Sequence, residues 1–95
     1  PNTEWKYSGG GYVLAQQVVE DVTGEPMAAT AQRLLLGPLG MTRSSFAQPP
    51  SAATLANAAF GHDGAAVIPG SFNIYPQQSA AGLWTTPTDI ARLFT

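Results

Sequence analysis

Between Tyr12 and Thr23 the apolar side chains recur at near-helical spacing: Tyr12, Ala15, Val19 and Val22 fall on one stripe, flanked by Leu14 and Val18. The pattern predicts an amphipathic helix over this stretch, entered from an extended Gly9-Gly10-Gly11 segment. Gly24 stands where a left-handed C-terminal cap is expected, and Pro26 opens a second helix, Met27 to Leu36. Only Gly24-Glu25 separates the two, which makes them packed neighbours. Gly37-Pro38-Leu39-Gly40 then ends the second helix in a turn, because proline lacks an amide hydrogen and disfavours helix in the residue before it.

From Thr42 to Gln78 the periodicity fades. Pro49-Pro50 and Gly61-His62-Asp63-Gly64 interrupt it, leaving mostly loop with a short irregular hairpin between Leu55–Phe60 and Ala65–Ile68. Thr86-Pro87-Thr88-Asp89 reads as a helix start: Thr86 as N-cap, Pro87 at the first position, and Asp89 placed to accept the N-cap amide as in a capping box. Ile90, Leu93 and Phe94 form that helix's apolar face. It has barely two turns before Thr95, and isolated helices so short are marginal in water. The expectation is a segment of a longer polypeptide, a partial domain spanning 1–95 whose two ends are arbitrary. There is no internal repeat and no low-complexity tract.

Composition narrows the chemistry. In 95 residues there are four basic and six acidic side chains, a net charge of −2, with no basic stripe to follow a phosphate backbone, so nucleic acid is not an expected partner. Charged residues are 11% of the chain against roughly 25% in an average soluble domain, and a surface so thinly charged suits contact with other protein. The absence of cysteine excludes disulfides, thiolate metal sites and a cysteine nucleophile, without fixing the compartment. No apolar run approaches the ~20 residues of a membrane span, and no basic-then-apolar leader opens the sequence.

Four segments carry a family resemblance. Pro1-Asn2-Thr3-Glu4-Trp5-Lys6-Tyr7-Ser8-Gly9 is similar to the P-G-x-x-[FW]-x-Y-S-N entry of the β-lactamase-like serine hydrolases, the group of class C β-lactamases, penicillin-binding DD-peptidases and related esterases. Gly11-Tyr12-Val13-Leu14 with Gln17, Glu20 and Thr23-Gly24 resembles the helix that follows it. Pro38-Leu39-Gly40-Met41-Thr42 matches the family's P-L-G-M-T turn, and the segment from Ala81 to Phe94 resembles its G-G-L-x-S-T-x-x-D-L-A-R-F stretch. The match is strong over Pro1 to Phe46 and Ala80 to Phe94 and loose between. It implies a mainly α chain with a short irregular or β-hairpin excursion, part of the helical lobe of the α/β plus all-α fold of β-lactamases and DD-peptidases.

Members of that family attack a carbonyl with the serine of an S-x-x-K motif, aided by its lysine and by the tyrosine of a Y-x-N motif, and close the site with a K-T-G or H-x-G strand. Here only the middle motif is present. Lys6 is the sole lysine and Thr3 precedes it by three, so there is no S-x-x-K. His62-Asp63-Gly64 fits H-x-G in letters but precedes the Ala81–Phe94 segment, whereas the family's third motif follows it; His62 reads as a solvated loop residue.

By the resemblance, Tyr7 is the catalytic residue, the hydroxyl that shuttles protons between nucleophile and leaving group. An unassisted phenol is a poor base at neutral pH, so the lysine of an absent S-x-x-K has to activate it. Gly9 takes the substrate-binding position where the family carries asparagine, which puts β-lactam hydrolysis in doubt and favours an ester or another acyl group. Ser8 lacks a neighbouring base, and Lys6 stands where a G-x-S-x-G elbow needs glycine, so Ser8 serves the turn. Trp5 and Trp84 read as core or lobe-packing residues, Asp89 as a cap, and Arg92 as its partner on the helix surface.

The leading expectation is thus a silent piece of a serine hydrolase acting on an ester, amide or β-lactam, with no cofactor and no metal. Its partner is the remainder of the parent polypeptide, and a periplasmic or secreted parent suits the resemblance. The competing expectation is a helical interaction module derived from that family, without catalysis.

Overall fold

The computed structural model of the protein describes residues 3–94. Pro1 and Asn2, which open the expected entry motif, lie outside them. Among the described residues the chain is mainly helical, with one small antiparallel hairpin. The elements are α1 (Gly9–Thr23), α2 (Met27–Ala31) continued by a π-helical turn (Gln32–Leu36), α3 (Ala52–Leu55), β1 (His62–Asp63), β2 (Ala66–Val67), α4 (Gln78–Ala81) and α5 (Pro87–Ala91).

α1 begins earlier than its apolar pattern announces. The Ser8 hydroxyl accepts the Gly11 amide at 2.9 Å and draws all three glycines into the first turn, where a side-chain cap replaces the missing intrahelical acceptor. The extended entry, expected to end within Gly9-Gly10-Gly11, therefore ends at Ser8, and all three glycines are helical. At the other end Gly24 takes φ 68°, a left-handed conformation that an L side chain adopts only at a cost of roughly 1–2 kcal/mol, and its amide bonds the Glu20 carbonyl.

The second helix covers the expected Met27 to Leu36, but its last turn widens to π geometry, and Gly37 donates to the Gln32 carbonyl at 2.9 Å. The hairpin lies inside the expected region with different strands. His62 pairs with Val67 and Asp63 with Ala66 around Gly64-Ala65, whereas Leu55 belongs to α3. The Leu55–Phe60 arm is thus not a strand: Ser51 accepts the Thr54 amide and caps a short helix instead.

Side-chain packing is uneven. Among the described residues Ala31, Leu36, Met41 and Pro50 are the buried apolar side chains. The Cα radius of gyration is 15.0 Å, against about 12.4 Å expected for a compact domain of this length. The accessible surface is 6760 Å², against about 5200 Å² expected for a compact monomer of this mass. α1 and α2 are neighbours, yet the hydrogen bonds that tie α1 to the rest of the chain come from polar side chains. Gln16 Oε1 accepts the Ser79 amide at 3.1 Å, Glu20 Oε1 accepts the Met27 amide at 2.9 Å, and the Thr23 and Thr30 hydroxyls lie 3.2 Å apart. Of the expected apolar stripe only Val19 is half-buried, while Tyr12, Ala15 and Val22 face solvent, together with Leu14 and Val18.

Candidate active site

Tyr7 lies in the extended segment immediately before α1, so the Ser8 cap that starts the helix also fixes the direction from which the phenol emerges. The ring is 74% exposed, and its hydroxyl makes no hydrogen bond among the described residues. Gly9 is the first residue of α1, and a Cβ built there would stand 4.0 Å from the Tyr7 hydroxyl. The space beside the phenol is open because position 9 lacks a side chain, and no side-chain amide is offered there.

Trp5, Lys6, Tyr7, Ser8, Gly11, Tyr12 and Ala15 line an open groove of ≈ 370 Å³. Its chemistry is narrow. Lys6 pairs with Glu4 at 3.0 Å in an exposed contact, and Ser8 Oγ is occupied as a helix cap. The groove lining contains no histidine and no carboxylate, and its Lys6 ammonium pairs with Glu4 rather than Ser8, so no serine–base pair is assembled in it. The second site residue, Gly9, adjoins the groove; a nucleophile does not.

Trp5 is 84% exposed and packs into no core of this chain, which removes the core role from the two expected of it. Trp84 does pack. Its ring meets Phe72 edge-on at 5.4 Å, a favourable aromatic geometry. His62 is exposed in β1, its Nδ1 3.0 Å from the Phe60 carbonyl, and among the described residues no cluster of histidine, aspartate and glutamate could hold a metal.

The most connected polar constellation described lies elsewhere, around Asp89, expected from the sequence only as a cap. Thr86 caps α5 as expected, accepting the Asp89 amide at 3.2 Å. The Asp89 carboxylate does not return the contact as a capping box would. It is 3% exposed and reaches across the fold, Oδ2 accepting the Arg43 amide and the Ser44 hydroxyl, each at 2.8 Å. Ser44 Oγ is also 2.7 Å from Thr85 Oγ1, and Ser45 and Trp84 exchange two backbone hydrogen bonds at 2.9 Å. Arg92 reaches the Gly40 carbonyl and places Nε 3.9 Å from Asp89 Oδ1. Asp89 is therefore the fastener between the Pro38–Thr42 turn and the C-terminal segment, because a buried carboxylate needs two or more donors and the capping box supplies only one. A signal was available in principle: a carboxylate inside a capped helix start, facing a serine-rich stretch such as Arg43-Ser44-Ser45.

No helix of the described residues is long and apolar enough to cross a membrane. A family model described as Beta-lactamase matches residues 1–95, and the chain belongs to the beta-lactamase family. Neither a curated protein nor a solved structure matches it significantly.

Proposed function

We propose that this member of the beta-lactamase family is a segment of a serine hydrolase, contributing the Tyr7 hydroxyl to an acyl-transfer site whose nucleophile and third motif lie outside residues 1–95. The observation that supports this most directly is the Tyr7 phenol itself, exposed and unpartnered at the capped start of α1, beside a groove without a nucleophile–base pair. In the assembled site the hydroxyl would take the proton from an incoming serine and pass it to the leaving group. Gly9 leaves room beside the phenol but no side-chain amide donor, which favours an ester or a small acyl group over a β-lactam that needs that donor.

Alone, the chain is catalytically silent. The purified 95-residue protein should hydrolyse nitrocefin and p-nitrophenyl acetate no faster than its Tyr7→Phe variant. Turnover by the 95-residue chain above that of its Tyr7→Phe variant would sink this reading. In a longer chain that includes an S-x-x-K serine, Tyr7→Phe should lower kcat by roughly 10²–10⁴, the usual contribution of a general acid–base group.

The exposed aliphatic face of α1 also suits a second reading, a non-catalytic helical interaction module. The two separate by behaviour in solution. A module should be monodisperse with one cooperative melting transition, whereas a segment detached from its lobe should associate or melt broadly.

A further inference from the structure

A second depression, away from Tyr7, lies beside the start of α5. It measures ≈ 330 Å³, and its walls include Thr42, Arg43, Asn57 and Trp84. No aspartate or glutamate lines it. Among the described residues the Arg43 guanidinium has no ion-pair partner, and the Thr42 hydroxyl and Asn57 carboxamide make no hydrogen bond. Several neighbouring hydroxyls, by contrast, are already engaged: Ser44 with Asp89, Ser51 with Thr54, and Thr86 with the Asp89 amide.

The unengaged groups stand on a fixed frame. Arg43 is anchored by its amide to Asp89 at 2.8 Å, and Trp84 is anchored by its backbone pairing with Ser45 and by its ring against Phe72. Arg43, Thr42, Asn57 and Trp84 around one cavity of ligand size, with no acid in the lining and the nearby Asp89 carboxylate already engaged by the Arg43 amide and the Ser44 hydroxyl, suit a small organic anion. Its carboxylate or phosphate would take the guanidinium fork, and its body would lie on the indole. We propose that this cavity is a binding site for a small carboxylate or phosphate monoester, separate from the Tyr7 groove.

The test is titration of the ¹⁵N-labelled 95-residue chain with benzoate and with phenyl phosphate, using benzamide as the neutral isostere. Saturable shifts of the Trp84 indole and of the Thr42 and Arg43 amides are expected with either anion and not with benzamide. Inorganic phosphate alone should compete if phosphate is the recognised group and fail to compete if carboxylate is. Arg43→Gln removes the guanidinium but keeps the amide that Asp89 holds, so the variant should keep the parent's spectrum elsewhere and bind at least tenfold more weakly. Equal shifts with benzamide, binding undiminished in Arg43→Gln, or shifts confined to the Trp5–Tyr12 groove would each overturn the proposal. Should Arg43→Gln fail to fold, Asn57→Ala on the exposed end of the same wall supplies the weakened variant, and unweakened binding there counts against the site.

Discussion

Helix α1 and the segment around α5 solve opposite problems with the same kinds of residue. α1 is fifteen residues long and amphipathic, yet it turns Gln16, Glu20 and Thr23 toward its own chain and leaves Leu14, Val18 and Val22 in water, at 70%, 60% and 80% exposure. α5 is five residues long and unremarkable in its apolar content, yet it buries Asp89 and is fastened across more than forty residues of sequence. Length and periodicity make a helix, and burial is a separate matter. α5 is held because a carboxylate and the main-chain donors of a turn satisfy each other, while α1 is held by its caps and a few polar contacts, its aliphatic face free for another surface.

The contrast breaks most readily in the small core. Leu36 is 1% exposed beneath the Pro38–Thr42 turn, and Leu36→Ala should destabilise the chain by about 3 kcal/mol, read as a shift of the urea midpoint. A loss below about 0.5 kcal/mol would mean that the turn side has no core to speak of. Asp89→Ala strands the Arg43 amide and the Ser44 hydroxyl, and about 2 kcal/mol should go with them. Ser44→Ala, which removes one of the two donors, should cost about half as much by the same measurement. Unchanged stability in Asp89→Ala would reduce that carboxylate to the simple cap its sequence suggests.

The smallest effect belongs to α1. Replacing Leu14, Val18 and Val22 together by serine should alter the unfolding free energy by no more than about 0.5 kcal/mol per site, and should reduce association seen by light scattering. A triple variant as damaged as Leu36→Ala would show that the face is already covered in solution, and the distinction between the two regions would fall.

Much of the local structure was legible from residues alone. Gly24 as a left-handed cap, the Met27–Leu36 helix, the Gly37–Gly40 stop and the Thr86–Pro87 start each follow from a rule that acts within four residues, and each occurs as expected. Ser8 as a turn residue was legible too, although it acts as an N-cap that pulls the glycines into the helix. The strands of the hairpin were displaced because Leu55 to Phe60 has no alternation strong enough to compete with a serine cap at Ser51.

The candidate site divides along the same line. Tyr7 and Gly9 were singled out by resemblance, and their positions at the start of α1 follow from the Ser8 cap. The Trp5 exposure, the Arg43–Trp84 cavity and the cross-fold reach of Asp89 depend on partners 40 residues or more away, or on the lack of them, and no periodicity encodes such pairings.

By itself, then, the amino-acid sequence determined where helices start and stop and which family the chain joins, since caps, prolines, glycines and short motifs act locally. Which face of each helix is buried was decided only in three dimensions. There the polar groups of α1 found amides to satisfy before its aliphatic groups found a surface, and the buried Asp89 carboxylate took two distant donors rather than the nearby N-cap amide.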